Sequence, residues 1–129
     1  MKYYTFNYTN NQGEQKELHL RLTSADAMEI EGTKKKSITD FLQEESMSMI
    51  ITFLRYLRKW EDKNFSLGQA QALYDELIDS GLSMKSIVID VIYEALVNSG
   101  FLEKELWEEM KPKITATEKK AKEHILEEL

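Results

Sequence analysis

Few side chains in this 129-residue sequence could carry out chemistry. The chain has no cysteine and only two histidines, His19 and His124. Neither histidine belongs to an HxxxH or HExxH spacing, whereas a metal site needs three or four converging ligands. Without cysteine there are no disulfides, thiolate nucleophiles or cysteine-ligated zinc and iron–sulfur sites. The sequence therefore predicts neither a metal site nor cysteine chemistry.

Adjacent acidic residues are the other candidates for acid–base catalysis. They occur as the pairs Glu44-Glu45, Glu61-Asp62, Asp75-Glu76 and Glu108-Glu109. Neighbouring helix positions do not share a face, and no apolar residues surround these pairs, so we interpret them as solvated. The five glycines occur singly, and no glycine-rich phosphate loop is present. We expect a protein that is not an enzyme and binds no cofactor.

The charge and apolar patterns bear on partners and location. Seventeen basic residues against 23 acidic ones give a net charge of −6, which disfavours binding to nucleic acid despite the run Lys34-Lys35-Lys36. The longest uncharged apolar stretch, residues 47–54, is far short of the roughly 20 residues that span a membrane. The N-terminus lacks the pattern of a secretory signal. We therefore expect a cytoplasmic protein that binds neither nucleic acid nor membrane.

The first segment predicts a β-hairpin. Residues 3–9 alternate, with Tyr4, Phe6 and Tyr8 on one face. After the turn residues 10–13, a second alternating run places three leucines on one face: Leu18, Leu20 and Leu22. Because two strands alone are marginal in water, this hairpin must pack on the helices that follow.

Capping signals divide the rest of the chain into helices. We predict a helix over residues 24–31 that stops at Gly32, a turn after Ser37 and a helix over residues 46–60. A capping box at Ser66 begins the next helix, and residues 84–99 form a largely apolar one between Ser83 and Gly100. The β-branched residues of 84–99 leave a strand as the competing alternative there.

The predicted fold class is α+β, mostly α: an N-terminal β-hairpin followed by a bundle of four to five helices and a charged C-terminal helical extension. Residues 1–102 form a single domain in this interpretation. Residues 103–129 carry 6 lysines and 8 acids and contain Pro112, the only proline. Their apolar stripe is thin, so we expect this extension to move unless a partner covers it.

The helix over 46–60 has more apolar surface than one core face needs. The members of its main stripe are Met47, Ile50, Ile51, Leu54 and Leu57. A second stripe runs beside it, and together the two cover roughly 220° of the helix circumference at 100° per residue. The members of the second stripe are Met49, Phe53, Tyr56 and Trp60. A neighbouring helix, another subunit or a client protein could each cover it.

Aromatic residues and methionine therefore supply the candidate protein-binding residues, which are Phe53, Tyr56, Trp60, Trp107 and Met110. Aromatic side chains are enriched at the energetic centres of protein interfaces. The alternative is that these residues only complete the core of a small bundle.

Several segments of residues 14–102 resemble the tail assembly chaperones of long-tailed phages and prophages of Gram-positive bacteria. The resemblance lies in residues 18–23 (LHLRLT) leading into 28–31 (MEIE), and in 57–60 (LRKW). It continues in 74–81 (YDELIDSG) and 95–101 (ALVNSGF). No catalytic residue is part of it.

The resemblance implies a non-enzymatic protein of the bacterial host cytoplasm that coats the helical tape measure protein until tail tube subunits polymerise around it. It implies self-association, and contact with the tail tube protein through a longer frameshifted form; residues 103–129 are then an interaction arm or the part before the frameshift. The alternative is a small prophage regulator or adaptor acting on a host or nucleic-acid-associated partner.

Overall fold

A computed structural model describes residues 2–109 and contains a two-stranded antiparallel sheet followed by helices. The strands are β1 (Tyr4–Thr9) and β2 (Gln15–Leu20). The first four helices are α1 (Ser24–Lys34), α2 (Ile38–Leu42), α3 (Met47–Lys59) and α4 (Leu67–Asp79). A continuous helical run follows, made of α5 (Met84–Ser86), a π-helical segment (Ile87–Tyr93) and α6 (Glu94–Asn98). A further helical stretch covers 104–109. The predicted α+β, mostly α fold class is confirmed.

The hairpin closes through a three-residue loop with a glycine in the left-handed region. The amide of Asn10 donates to the carbonyl of Glu14, and the amide of Gly13, at φ 81°, donates to the carbonyl of Asn10. The side chain of Asn10 also accepts the amides of Gln12 and Glu14, which holds the turn. In the resulting register Tyr4 lies opposite Leu20.

Serine side chains begin the helices where the sequence predicts them. Ser46, Ser66 and Ser83 each accept a hydrogen bond from the amide three residues further on, and Gln69 completes a capping box with Ser66. The predicted boundaries of α3, α4 and the helical run 84–98 are therefore confirmed to within a residue or two.

The predicted stop at Gly32 is wrong, because α1 continues to Lys34 and ends at Lys35, which has φ 55°. Contacts of the last turn explain the extension. Glu31 accepts the amide of Ile38, and the ammonium of Lys34 reaches the hydroxyl of Ser48 and the ring of Phe41. These contacts offset the cost of a glycine inside a helix, about 1 kcal/mol.

The run 84–98 is helical and not a strand, but its centre has π-helical hydrogen bonding. Five residues of this segment are buried: Ile87, Val88, Ile89, Val91 and Ile92. The wider turn of a π-helix places more side chains around the axis than the α-helical spacing predicts. This segment supplies the middle of the core, with α3 and the leucines of β2 packed around it. No helix among residues 2–109 has the length and apolar character needed to cross a membrane.

A half-buried phenol joins the hairpin to the π-helical segment. The hydroxyl of Tyr4 donates to the carbonyl of Asp90 at 2.9 Å. Burial, with smaller contributions from the carboxylates of Glu94 and Asp90, raises the pKa of Tyr4 to about 12. The neutral phenol therefore stabilises the fold fully below its unfolded-state pKa of about 10, and this contribution disappears as the pH rises through about 12.

We expect the stability difference between the wild type and Tyr4→Phe to shrink between pH 10 and pH 12. At lower pH the wild type keeps a hydrogen bond that the variant lacks, and above the folded-state pKa it loses that advantage. Urea unfolding of both proteins at several pH values measures the difference. A difference that stays constant across this range would contradict the assignment.

Candidate functional site

The second apolar stripe of α3 is covered by the protein's own elements. Met49 and Phe53 are 0% exposed and Tyr56 is 6% exposed. The ring of Phe53 packs on that of Phe41 in α2, with centroids 5.6 Å apart. The hydroxyl of Tyr56 donates to the carboxylate of Glu29 in α1 at 3.0 Å. In this fold α1 and α2 therefore close over Phe53 and Tyr56, which complete the core, so this arrangement does not support their assignment as protein-binding residues.

Trp60, at the end of this stripe, is half-buried and already engaged. Its ring stacks on that of Tyr3, with centroids 5.4 Å apart, and its indole N–H donates to the carbonyl of His19 at 3.1 Å. It therefore helps to hold the hairpin against the end of α3 while part of its surface stays accessible.

Trp107 is also packed inside the protein. It is 5% exposed, meets the ring of Tyr93 edge to face at 5.0 Å and donates its indole N–H to Glu94 at 3.0 Å. The start of the charged extension, 103–109, thus contacts the helical run through this side chain. Met110, the last candidate, lies outside the described residues, as does His124.

The residues considered for chemistry are paired with one another. His19 lies 2.7 Å from the carboxylate of Glu17 and 3.7 Å from that of Glu61. A hydrogen bond from Arg58 is the main reason that the pKa of Glu61 lies below its ordinary value. Within residues 2–109, no three His, Asp or Glu side chains come together as metal ligands.

Two members of the lysine run are occupied within the chain. Besides the contacts of Lys34 with Ser48 and Phe41, Lys36 forms an ion pair with Glu44. The ion pair reduces the positive charge that Lys36 could offer to a phosphate, and Lys34 would have to leave its two contacts to reach one.

An accessible apolar surface lies instead in a groove between α3 and α4. Met47 and Leu67, the first residues of these helices, are 44% and 51% exposed. With Ile51 and Tyr74 they line a cavity of about 600 Å³. Its remaining lining consists of polar and charged residues: Lys34, Ser48, Thr52, Gln71 and Asp75.

Sequence reasoning missed this groove because it placed Met47 in the core stripe of α3. One local signal was available. Met47 and Leu67 both follow a serine cap directly, in a first turn where acidic residues are favoured. Apolar residues at these two positions are a candidate for contact with another molecule.

The geometry of the groove suits a helix better than a small polar ligand. Two helices supply almost all of its lining, which combines apolar side chains with polar ones. An amphipathic helix that places its apolar face between two helices needs this arrangement. Methionine adapts its shape to different partners, so Met47 allows more than one apolar sequence to bind.

Comparisons of this chain with protein-family models, with curated proteins and with solved structures found no match.

Proposed function

We propose that this protein is a non-enzymatic tail assembly chaperone that binds the tape measure protein and keeps it soluble during tail morphogenesis in the bacterial cytoplasm. Two things support the proposal. Segments within residues 14–102 resemble those of this class of chaperone, and an apolar groove is open on the helical side of the fold.

The groove between α3 and α4 is the observation that carries the proposal. A tape measure protein is long and helical, and a helix of that kind exposes apolar residues until the tail tube encloses it. Met47 and Leu67, both about half exposed, offer a complementary surface at one place on the chaperone. Burying such residues on both partners is favourable by roughly 25 cal/mol per Å².

The net charge of −6 is consistent with a chaperone that coats its client and keeps the complex in solution. Charge far from zero opposes association of one coated complex with another. The resemblance also implies the tail tube protein as a further partner, which a longer frameshifted form of the chain would contact.

Co-expression with the tape measure protein of the same gene cluster tests the proposal. We expect the wild-type chain to raise the soluble fraction of that protein and the double variant Met47→Glu, Leu67→Glu to lose this effect. Glutamate in the first turn of a helix is compatible with the helix dipole, so the fold of the variant should be retained.

The chain offers a matched control in Met28→Glu, Met84→Glu. Both residues are exposed, and Met84, like Met47, is 44% exposed and follows a serine cap directly. This control changes the net charge by the same two units and should keep the solubilising effect. If the wild type does not solubilise the tape measure protein, the function is wrong; if both double variants solubilise it equally, the groove is the wrong surface.

A further inference from the structure

The outer edge of β1 makes no backbone hydrogen bond to the rest of the described residues, 2–109. Since the amide of Asn10 bonds to Glu14, the even-numbered residues of β1 make the hydrogen bonds to β2 in this register. Thr5, Asn7 and Thr9 therefore direct their N–H and C=O groups away from β2. No hydrogen bond from another residue in 2–109 reaches these groups.

The outer edge of β2, in contrast, is covered at its C-terminal end by the end of α3. The carbonyl of His19 accepts from the guanidinium of Arg58 at 2.8 Å as well as from the indole of Trp60. The amide of Arg21, just beyond the strand, donates to the carbonyl of Leu57 at 3.0 Å. Among residues 2–109, the outer edge of β2 is therefore partly covered, whereas the outer edge of β1 has no such contacts.

The open strand lacks the features with which proteins protect such an edge. Its sequence, YTFNYT, contains no charged residue and no proline. Two of the three aromatic side chains on its helix-facing side, Tyr4 and Phe6, are also incompletely covered. Phe6 is half-buried, whereas Leu18, its partner on β2, is 8% exposed. A further strand beside β1 would cover this ring and bond the free backbone groups.

We propose that two copies of this chain associate through β1, antiparallel, about a two-fold axis at Asn7. The sheet then has four strands, in the order β2, β1, β1 of the second copy and β2 of the second copy. This inference does not depend on the proposed function, since β1 contributes no residue to the groove between α3 and α4.

The residues of β1 favour a second copy of the chain as the strand that binds at this edge. With the axis at Asn7, Thr5 pairs with Thr9 of the other copy, and Phe6 pairs with Tyr8. Aromatic pairs and threonine pairs across strands are both stabilising. The odd-numbered residues would form three hydrogen-bonded pairs across the axis, with up to about six backbone hydrogen bonds in total. Because β1 carries no charge, two chains of net charge −6 can meet here without placing like charges opposite each other.

Sedimentation equilibrium of the full chain tests the association. We expect a concentration-dependent dimer for the wild type, and a dissociation constant at least about tenfold higher for Asn7→Lys, which places two lysines opposite each other at the axis. The matched control is Gln15→Lys, the same change of charge at an exposed position of β2, which should dimerise like the wild type. A wild type that remains monomeric, or Asn7→Lys that dimerises as well as Gln15→Lys, overturns the proposal.

The absence of cysteine makes a second, independent test simple. At the axis the two α-carbons of position 7 would lie about 5.5 Å apart, within the range that a disulfide spans. Asn7→Cys should therefore form a disulfide-linked dimer under mild oxidation. Thr9→Cys should not, because its two copies would be roughly 14 Å apart along the strands. Equal cross-linking of both variants, or none of Asn7→Cys, overturns the proposed pairing.

Discussion

Replacing Phe53 with alanine is expected to lower the free energy of unfolding by about 3–5 kcal/mol. The side chain is fully buried and packs on the ring of Phe41, so its removal leaves a cavity that α2 and α3 cannot fill without moving. Urea unfolding followed by circular dichroism measures the loss, with an unchanged slope expected if the unfolded state is unaffected.

Phe65→Ala is the matched control for this change. Phe65 is half-buried at the edge of the core, where the guanidinium of Arg58 lies 5.9 Å from its ring. The same truncation should cost clearly less there, because less apolar surface returns to water. If Phe53→Ala proved as stable as the wild type, the side chain would not be enclosed. The interpretation of Phe53 as a protein-binding residue would then be favoured again.

Replacing Trp107 with alanine is expected to cost about 3 kcal/mol, at the low end of the range for a buried tryptophan. The variant loses the edge-to-face contact with Tyr93 and the hydrogen bond to Glu94. The loss is limited because the segment 103–109 can separate from the helical run without opening the core. Hydrogen exchange should show faster exchange in this segment, and urea unfolding should show the lower stability.

The neighbouring residue provides the control for Trp107. Leu106 is 55% exposed, and Leu106→Ala should change the free energy of unfolding by no more than about 0.5 kcal/mol. Equal stability of Trp107→Ala and Leu106→Ala would contradict the docking of 103–109 through the indole.

The groove and the β1 edge assign two separate surfaces to this chain. Met47 and Leu67 belong to the first, and Asn7 is the centre of the second. A chaperone that coats a long client benefits from both, because paired copies bind a repetitive helix with more than one groove at a time. The experiments on the two surfaces are independent, so a result that contradicts one proposal leaves the other unaffected.

The part of the site that could be predicted is limited to its helical framework. The serine caps before Met47 and Leu67 are local signals, and they place both residues at the beginnings of their helices. That both residues line one groove depends on how α3 packs on α4, which no local pattern specifies. The sequence shows that the apolar surface of α3 is broad, but it does not show which elements pack over it.

Local sequence patterns were enough to predict the hairpin, the starts of α3, α4 and the run 84–98, and the mostly helical fold class. These features depend on contacts between residues a few positions apart, such as the bond from the amide of Met49 to the hydroxyl of Ser46. The enclosure of Phe53, Tyr56 and Trp107, the continuation of α1 through Gly32 and the π-helical bonding of residues 87–93 became known from the fold alone. Burial and the final turn of a helix depend on segments distant in the chain, whose approach is set by the packing of the whole core.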